Sequence, residues 1–209
     1  PKPQNPKLTF RSTSGGIIIK MSFAGKIFAS VVATGLAMRQ REGATEMAEA
    51  DLVRKAICIL ESQPNETAKG VVHFSQAGYQ SLCNIEGTFT GLNPGNKHGF
   101  HIHQYGNLLQ GCVTAGPHYN PHGHTHAGPA SVARHVGDLG NVLAQADGTG
   151  KYSRLDHQVT LFGPRSVVGR SVVLHRNEDD LGTGGNEESL KTGNAGARIA
   201  CGVIGLAQE

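Results

Sequence analysis

Histidine is the residue type in this chain whose number and spacing most directly indicate chemistry. The chain has 209 residues and eleven histidines, and eight of these lie between residues 98 and 135. Imidazole is the commonest protein ligand for zinc and copper. One isolated histidine is usually an ordinary side chain, but this density in one segment predicts a metal site. The eight are His98, His101, His103, His118, His122, His124, His126 and His135.

Alternation places two of these histidines on one face of a predicted strand. In the segment 99–103, His101 and His103 are two residues apart, so their side chains project to the same side, while Phe100 and Ile102 point into the core. This arrangement supplies half of a metal site on a rigid element. A further histidine, His175, ends an apolar run that would return it to the core beside this strand.

A second set of ligand types follows on a long glycine-containing loop. His118, His126, His135 and Asp138 are separated by eight, nine and three residues. Three imidazoles and one carboxylate complete the tetrahedral coordination that zinc prefers. The sequence therefore predicts two metal positions close together.

The elements that must position these residues are short strands. Alternating patterns occur at 55–60, 71–76, 81–90, 99–105, 140–146, 152–161, 167–175 and 200–204, and no convincing amphipathic helix separates them. The 29 glycines are about twice the usual share of roughly 7% and suit many turns. We predict an all-β, eight-stranded barrel or sandwich with two long functional loops, 106–137 and 176–199.

Charge and composition divide the chain near residue 54. Residues 1–41 hold seven basic residues and no acidic one, which leaves 12 basic and 16 acidic residues, net −4, in 42–209. The positive charge is thus no evidence for nucleic-acid binding by the folded part.

We predict an extension, 1–54, that is disordered or a targeting segment, with 21–41 as the candidate signal or transit region, and a domain, 55–209. The alternative is that the residues before Met47 are extraneous and that translation of the natural protein starts at Met47. The apolar stretch 27–38 is too short to span a bilayer, so no membrane partner is expected.

The four cysteines, Cys58, Cys83, Cys112 and Cys201, are too few for a disulfide framework and form no C-x-x-C pair. Cys58 and Cys83 lie in strand patterns and suit buried thiols. From the residues alone, three pairings of the four remain open.

Many separated motifs make the chain resemble the copper/zinc superoxide dismutases of eukaryotes, over about residues 55–208. Chance agreement over so many motifs in the family's order and spacing is negligible. The matching segments are 98–103, 111–112, 115–118, 126–129, 134–141, 184–189 and 193–204. The resemblance implies an eight-stranded antiparallel Greek-key barrel, immunoglobulin-like in its sandwich architecture, and a homodimer.

The resemblance also assigns a role to each candidate residue. It implies one copper per subunit held by His101, His103, His118 and His175, and one zinc per subunit held by His118, His126, His135 and Asp138, with His118 bridging. It implies that Asp179 links His101 to His126, and that Cys112 pairs with Cys201. Arg198 and His118 would be catalytic, the former fixing the anion and the latter exchanging a proton, while Lys191, Thr192 and Glu188 belong to the loop that steers substrate.

The implied activity is disproportionation of superoxide to O₂ and hydrogen peroxide, in antioxidant defence, by copper cycling between Cu(II) and Cu(I) with a structural zinc. The implied setting is the cytoplasm, with a copper chaperone for metal loading; a secreted or organellar location follows if 21–41 is a targeting segment. In a secreted chain, Asn65 of the Asn65-Glu66-Thr67 sequon would accept a glycan.

Two other classes of function fit the sequence less well. A copper-delivery protein of related fold would carry a C-x-x-C motif and lack part of the copper set, whereas this chain has no such motif and has all four ligands. A β-sandwich interaction module with purely structural metals would not need an arginine beside an open copper position. His122 and His124 depart from the family pattern and fit either solvated loop side chains or metal capture.

Overall fold

A computed structural model describes residues 12–13, 16–17 and 53–208 of the chain. The chain divides into two units, residues 1–44 and 45–209. In the first unit, the described residues are the antiparallel strands β1 (Ser12–Thr13) and β2 (Gly16–Ile17). Apart from these and residues 53–54, the predicted extension 1–54, with its targeting segment 21–41, lies outside the described residues.

In the second unit, the described chain is built from strands, with only one turn of α-helix, α1 (Ser189–Thr192), and one 3₁₀ turn (Val113–Ala115). The strands are β3 (Val53–Ser62), β4 (Lys69–Ala77), β5 (Cys83–Thr90), β6 (Lys97–His103), β7 (Leu109–Cys112), β8 (Asp138–Leu143), β9 (Gly150–Asp156), β10 (Ser171–His175) and β11 (Arg198–Leu206).

Eight of these strands form one antiparallel sheet in the order β8-β6-β10-β11-β3-β4-β5-β9. Its two edge strands, β8 and β9, follow one another in the chain, and a bridge between Ala144 and Gly150 joins them where the turn begins. The sheet is therefore a nearly closed barrel, which confirms the predicted all-β Greek-key fold.

Alternating burial produces the barrel core. Along β5, residues 83, 85, 87 and 89 are buried and those between them are more exposed. The core is formed by large apolar side chains from most of the strands, including Leu60, Phe74, Ile85, Phe89, Phe100, Ile102, Leu174 and Ile204. Burial of such side chains is the main term that stabilises a domain of this size.

Strands β6 and β10 differ from the others because both of their faces are covered. After Lys97, every residue of β6 is buried, and all five residues of β10 are buried. On the inner face, Phe100 and Ile102 join the barrel core, as predicted from alternation. The outer face, which carries His101 and His103, is covered by the two long loops. Both histidines are therefore held on a strand that is packed on its two faces.

All eight predicted strands are present, and their ends differ by a few residues. The largest difference is in β9, which was expected to continue to residue 161 but ends at Asp156. The buried carboxylate of Asp156 accepts hydrogen bonds from the backbone N–H groups of Gln158 and Val159, at 2.8 and 2.9 Å, and these turn the chain out of the sheet. The alternation pattern carries no signal for such a turn.

Candidate metal centre

Pairing of strands brings three histidines from distant parts of the sequence to one place. Strands β6 and β10 are neighbours, with His101 opposite Val173, and His175 ends β10. An isolated bridge between His103 and His118 docks the long loop after β6 against the same point. The rings of His101 and His118 have centroids 4.1 Å apart.

Backbone carbonyl groups set the orientation of the His103 and His175 rings, so that the Nε2 atom of each ring faces the other ring. His103 Nδ1 lies 2.8 Å from the carbonyl oxygen of Gly116, and His175 Nδ1 lies 3.0 Å from that of Gly196. Each Nδ1 is thus the protonated donor, and each Nε2 carries a lone pair. The two Nε2 atoms are 3.3 Å apart. Two lone pairs pointed at one another at this distance are favourable when a cation lies between them.

Asp179 orients two further rings through its two oxygens. His101 Nε2 lies 2.9 Å from Asp179 Oδ2, and His126 Nε2 lies 2.7 Å from Asp179 Oδ1. The Nδ1 atom of His101 is therefore left as an acceptor, and it is buried with no hydrogen-bond donor facing it among the described residues, whereas the Nδ1 atom of His126 faces the carboxylate of Asp138. A carboxylate on the outer nitrogen of a histidine is the usual device that fixes its tautomer for metal binding.

A second group of ligand atoms converges on one oxygen of Asp138. The Nδ1 atoms of His118, His126 and His135 lie 3.0, 2.9 and 3.1 Å from Asp138 Oδ1, and those of His118 and His135 are 3.5 Å apart. Four ligands at tetrahedral positions around zinc, at about 2.0–2.1 Å from the ion, are about 3.3 Å from one another. These separations fit a closed zinc site.

The two groups share the ring of His118. His101, His103, His118 and His175 offer ligand atoms within 4.8 Å of one another, as do His118, His126, His135 and Asp138. Nδ1 of His118 belongs to the second group, while its Nε2 is buried without a hydrogen-bond partner in the described part of the chain. Orphaned buried nitrogens are costly unless a ligand satisfies them. The donor sets, four nitrogens and three nitrogens with one oxygen, fit copper and zinc.

Burial keeps the first group of rings in the form that binds metal. It lowers the pKa of His101 and of His103 well below the usual range, with the nearby ring of His118 adding to the effect. It lowers the pKa of His175 to about 3. These imidazoles are neutral at pH 7, and the neutral ring is the ligand.

His126 differs from the other rings because two carboxylates flank it. Burial alone would lower its pKa, but the contacts with Asp138 and Asp179 raise that pKa to about 9. The pKa of Asp138 lies well below its usual range: burial opposes this, and the three surrounding rings outweigh it. The second group therefore carries a full negative charge on its central carboxylate, as a cation site requires.

An open cleft of about 910 Å³ leads to the first group, and Arg198 lies on its wall. The guanidinium donates to the carbonyl oxygens of Cys112 and Gly116, at 2.7 and 2.8 Å, and more weakly to that of Val113. The side chain is half-buried, and burial lowers its pKa. Its position is thus set by the loop backbone, and it presents a positive charge beside His103, His118 and His175.

The three residues expected to steer substrate lie around α1 on the rim of the same cleft. The ammonium of Lys191 is 2.6 Å from Glu187 Oε1, with both side chains exposed. The hydroxyl of Thr192 donates to Glu188 Oε1 at 2.6 Å. The charge of Lys191 is therefore partly offset by Glu187, and Thr192 is held in place by Glu188.

A disulfide joins Cys112, at the end of β7, to Cys201 in β11. This is the pairing implied by the family resemblance. It attaches the chain that leads into the loop of His118 to β11, the strand that begins with Arg198. Cys58 and Cys83 are free and buried, as predicted.

Two supporting contacts were not predicted from the sequence. Arg134 and Asp156 form a fully buried ion pair, and Arg134 also donates to the carbonyl oxygens of His135, Val136 and Asp138, at 3.0, 3.0 and 3.1 Å. These three hydrogen bonds from one guanidinium fix the backbone of His135 and Asp138, two of the residues predicted to bind zinc. An arginine beside His135 was visible in the sequence, but its partner 22 residues away was not.

The second unpredicted contact holds Asp179. Asn141 donates from Nδ2 to the carbonyl oxygen of Asp179 and accepts from its N–H at Oδ1, both at 2.8 Å. The amide therefore fixes the backbone of Asp179 on both sides. A polar residue within the apolar run of β8 was the only signal for this role.

Comparisons with a family model and with individual known proteins point to one and the same family. A family model described as copper/zinc superoxide dismutase matches residues 68–204. The Superoxide dismutase (Cu-Zn) of Cordyceps militaris is 53% identical over 153 residues, which are 73% of this chain and 98% of that protein. The Superoxide dismutase (Cu-Zn) of Neurospora crassa is 51% identical over 154 residues, 74% of this chain and 99% of that protein. Among the helices that the structure describes, none has the length and apolar character needed to cross a membrane.

Proposed function

Because the chain belongs to the copper/zinc superoxide dismutase family, we propose that it converts two superoxide anions and two protons to O₂ and hydrogen peroxide. One anion gives up an electron and leaves as O₂; the other takes up that electron and leaves, with both protons, as hydrogen peroxide. The observation that carries the proposal is the pair of opposed Nε2 atoms of His103 and His175, 3.3 Å apart beside Arg198 in an open cleft.

We assign copper to His101, His103, His118 and His175, and zinc to His118, His126, His135 and Asp138. Copper would supply the redox chemistry by alternating between Cu(II) and Cu(I), which zinc cannot do. The chain's own contribution is orientation. The carbonyl oxygens of Gly116 and Gly196 and the carboxylate of Asp179 hold the rings so that their lone pairs converge.

Arg198 is assigned to bind the anionic substrate. Its guanidinium is planar and always charged, and its fork of N–H donors suits a small oxyanion. Bonds to three loop carbonyls hold it on the cleft wall, so little of its conformational freedom is lost when the anion binds.

His118 is assigned to hold and return one proton. Its Nδ1 is held by Asp138 at 3.0 Å, so the exchangeable position is Nε2, which is buried and unpaired in the described structure. The ring lines the cleft, which gives this nitrogen a route for proton exchange.

Attraction of the substrate must be local because residues 42–209 carry a net charge of −4. Superoxide dismutases are themselves the familiar example of an anion steered to its site by a positively charged funnel. We propose that Arg198 and Lys191 supply the positive field here, with Glu188 holding Thr192 at the mouth of the cleft. The pairing of Lys191 with Glu187 weakens its share.

The assembly proposed for this chain is a homodimer, with Ile57, Ile59, Gly106, Val168, Gly169 and Leu206 at the contact. Ile59 is 58% exposed and Leu206 is 68% exposed, on the neighbouring strands β3 and β11. Two large apolar side chains exposed this far on adjacent strands support an interface there. Sedimentation of Ile59→Glu would show a monomer, whereas an unchanged dimer would place the contact elsewhere.

We further propose that residues 55–209 carry the whole activity, with 1–54 an extension that does not contribute. A copper chaperone would load the metal, and the cytoplasm would be the working compartment. Mass determination of the natural protein tests the extension directly, because cleavage within 1–54 would reveal a targeting segment.

The reaction is tested by product stoichiometry. The chain carrying both metals should yield one O₂ and one hydrogen peroxide for every two superoxide anions, and the chain carrying zinc alone should show no reaction above the spontaneous rate. Equal rates in the two preparations would remove the redox role of the first histidine group.

A further inference from the structure

His122 and His124 lie outside both metal groups and have no part in the proposed reaction. Both side chains are exposed, on the loop between the 3₁₀ turn that follows β7 and strand β8. Their ring centroids are 5.9 Å apart and their planes are inclined by 28°. Within the same structure, His103 and His175 have centroids 5.4 Å apart and planes inclined by 25°. The rings of His122 and His124 are thus arranged much like those of His103 and His175, which belong to the proposed copper set.

The backbone between the two exposed rings is fixed by local contacts. Gly123 has φ +69°, a left-handed conformation that turns the chain between the histidines. Asn120 donates from Nδ2 to the carbonyl oxygen of His124 at 2.8 Å, and its Oδ1 accepts from the N–H of His124 at 3.1 Å. A site whose backbone is already held loses less conformational entropy when an ion binds.

One ring of the pair, that of His124, lies on the wall of the cleft that leads to the interior histidines, and the ring of His122 lies beside it. His124 lines the same cleft as His118, His175 and Arg198. Arg165 opposes cation binding, since its Nη1 lies 3.4 Å from His122 Nε2, but both side chains are exposed, so water screens the charge of the guanidinium.

We propose that His122 and His124 together bind one divalent copper ion at the rim of the cleft, as an accessory site separate from the interior groups. Two imidazoles supply two nitrogens, water completes the coordination, and among first-row divalent metals Cu²⁺ binds such ligands most tightly. With two protein ligands and Arg165 nearby, the site is weaker than the interior ones. Copper binding here does not depend on the dismutase reaction.

The test uses the full chain already carrying its interior copper and zinc. Equilibrium dialysis against Cu²⁺, followed by metal analysis, should find one further copper per chain, and its electron paramagnetic resonance spectrum should show coupling to imidazole nitrogen. His122→Asn and His124→Asn should each lose this copper. Arg165→Gln should tighten its binding by about tenfold, because a positive charge close to the ion is removed.

The matched control removes two other exposed histidines, with His73→Asn and His157→Asn combined in one variant. This control should keep the additional copper. Equal loss in the control and in the His122 and His124 variants would show adventitious binding to surface histidines and would overturn the proposal. Absence of any additional copper in the unaltered chain would overturn it as well.

Discussion

The side chains of His126 and Asp179 meet at 2.7 Å, between His126 Nε2 and Asp179 Oδ1, and both are fully buried. The other oxygen of the same carboxylate lies 2.9 Å from His101 Nε2. One carboxylate therefore orients a ring of each metal group. The two groups are connected a second time through the ring of His118, so a change in either connection is expected to affect both metals.

Replacing Asp179 with asparagine should weaken both sites. The asparagine side chain would keep the shape of the aspartate but lose its charge and one acceptor oxygen, so that only one ring stays oriented. Loss of such a partner commonly weakens metal affinity by about 10-fold to 100-fold. Competition with a chelator measures this for copper and zinc separately. Glu178→Gln, at an exposed neighbouring position, is the control and should leave both affinities unchanged.

Replacing Arg198 should lower the rate constant for superoxide while leaving the metal content intact. Arg198→Ala removes a charge-assisted contact, for which a loss of about tenfold or more is expected. Arg198→Lys keeps the charge but not the planar fork held by Cys112, Val113 and Gly116, so an intermediate loss is expected. Direct measurement of superoxide decay at several ionic strengths checks both. Arg176→Lys is the control, and an equal loss there would point to a general effect of surface substitution.

Breaking the ion pair of Arg134 and Asp156 should destabilise the fold. Both side chains are fully buried, so Asp156→Ala leaves an unpaired buried charge, which costs about 3–5 kcal/mol in the free energy of unfolding. The exposed pair of Lys97 and Glu178 is the control, where Glu178→Gln should cost less than about 1 kcal/mol. Denaturant unfolding at pH 7 measures both. A similar loss of unfolding free energy in the two variants would contradict the prediction that the buried ion pair stabilises the fold more than the exposed one does.

The same pair predicts an acid dependence. Burial would raise the pKa of Asp156, but the charge of Arg134, together with the backbone N–H groups of Gln158 and Val159, holds that pKa below its usual range. A carboxyl group whose pKa is lower in the folded chain stabilises the fold above the unfolded pKa of about 3.9, and this stability is lost as the pH falls below that value. Unfolding curves between neutral and acid pH should therefore show a smaller acid loss in Asp156→Ala than in the unaltered chain.

Alkylation separates the cysteines by environment. Burial raises the pKa of Cys58 and of Cys83 to about 12, so almost no thiolate exists at pH 8. Iodoacetamide should leave the native chain unmodified, add two groups after unfolding without reductant, and add four after reduction, since the chain has four cysteines and one disulfide. Intact mass gives the count. Modification of the native chain at pH 8 would contradict the buried assignment.

Short-range pattern was sufficient to predict much of this molecule. The spacing of His101 and His103 predicted a strand with two imidazoles on one face, because side-chain direction in a strand alternates with period two. The eight strands were recognisable for the same reason. The spacing of His118, His126, His135 and Asp138 predicted a zinc set before any contact was known.

Contacts between distant residues were not accessible in this way. Nothing in the local sequence pairs Asn141 with Asp179, 38 residues later, or Arg134 with Asp156, because each contact depends on which strands become neighbours. The pairing of Cys112 with Cys201 came from family resemblance alone, since four cysteines allow three pairings. The end of β9 was missed because a buried carboxylate, and not a glycine or proline, turns the chain there.

The proposed redox metal site consists of the four imidazoles beside Arg198. Its most direct test is the rate of superoxide decay with His101→Ala, compared at equal protein concentration with the unaltered chain and with His73→Ala, all exposed to copper and zinc in the same way. We predict that the rate with His101→Ala falls to the spontaneous rate with the barrel still folded by circular dichroism, while His73→Ala remains fully active. Full activity in His101→Ala would contradict the assignment of this site.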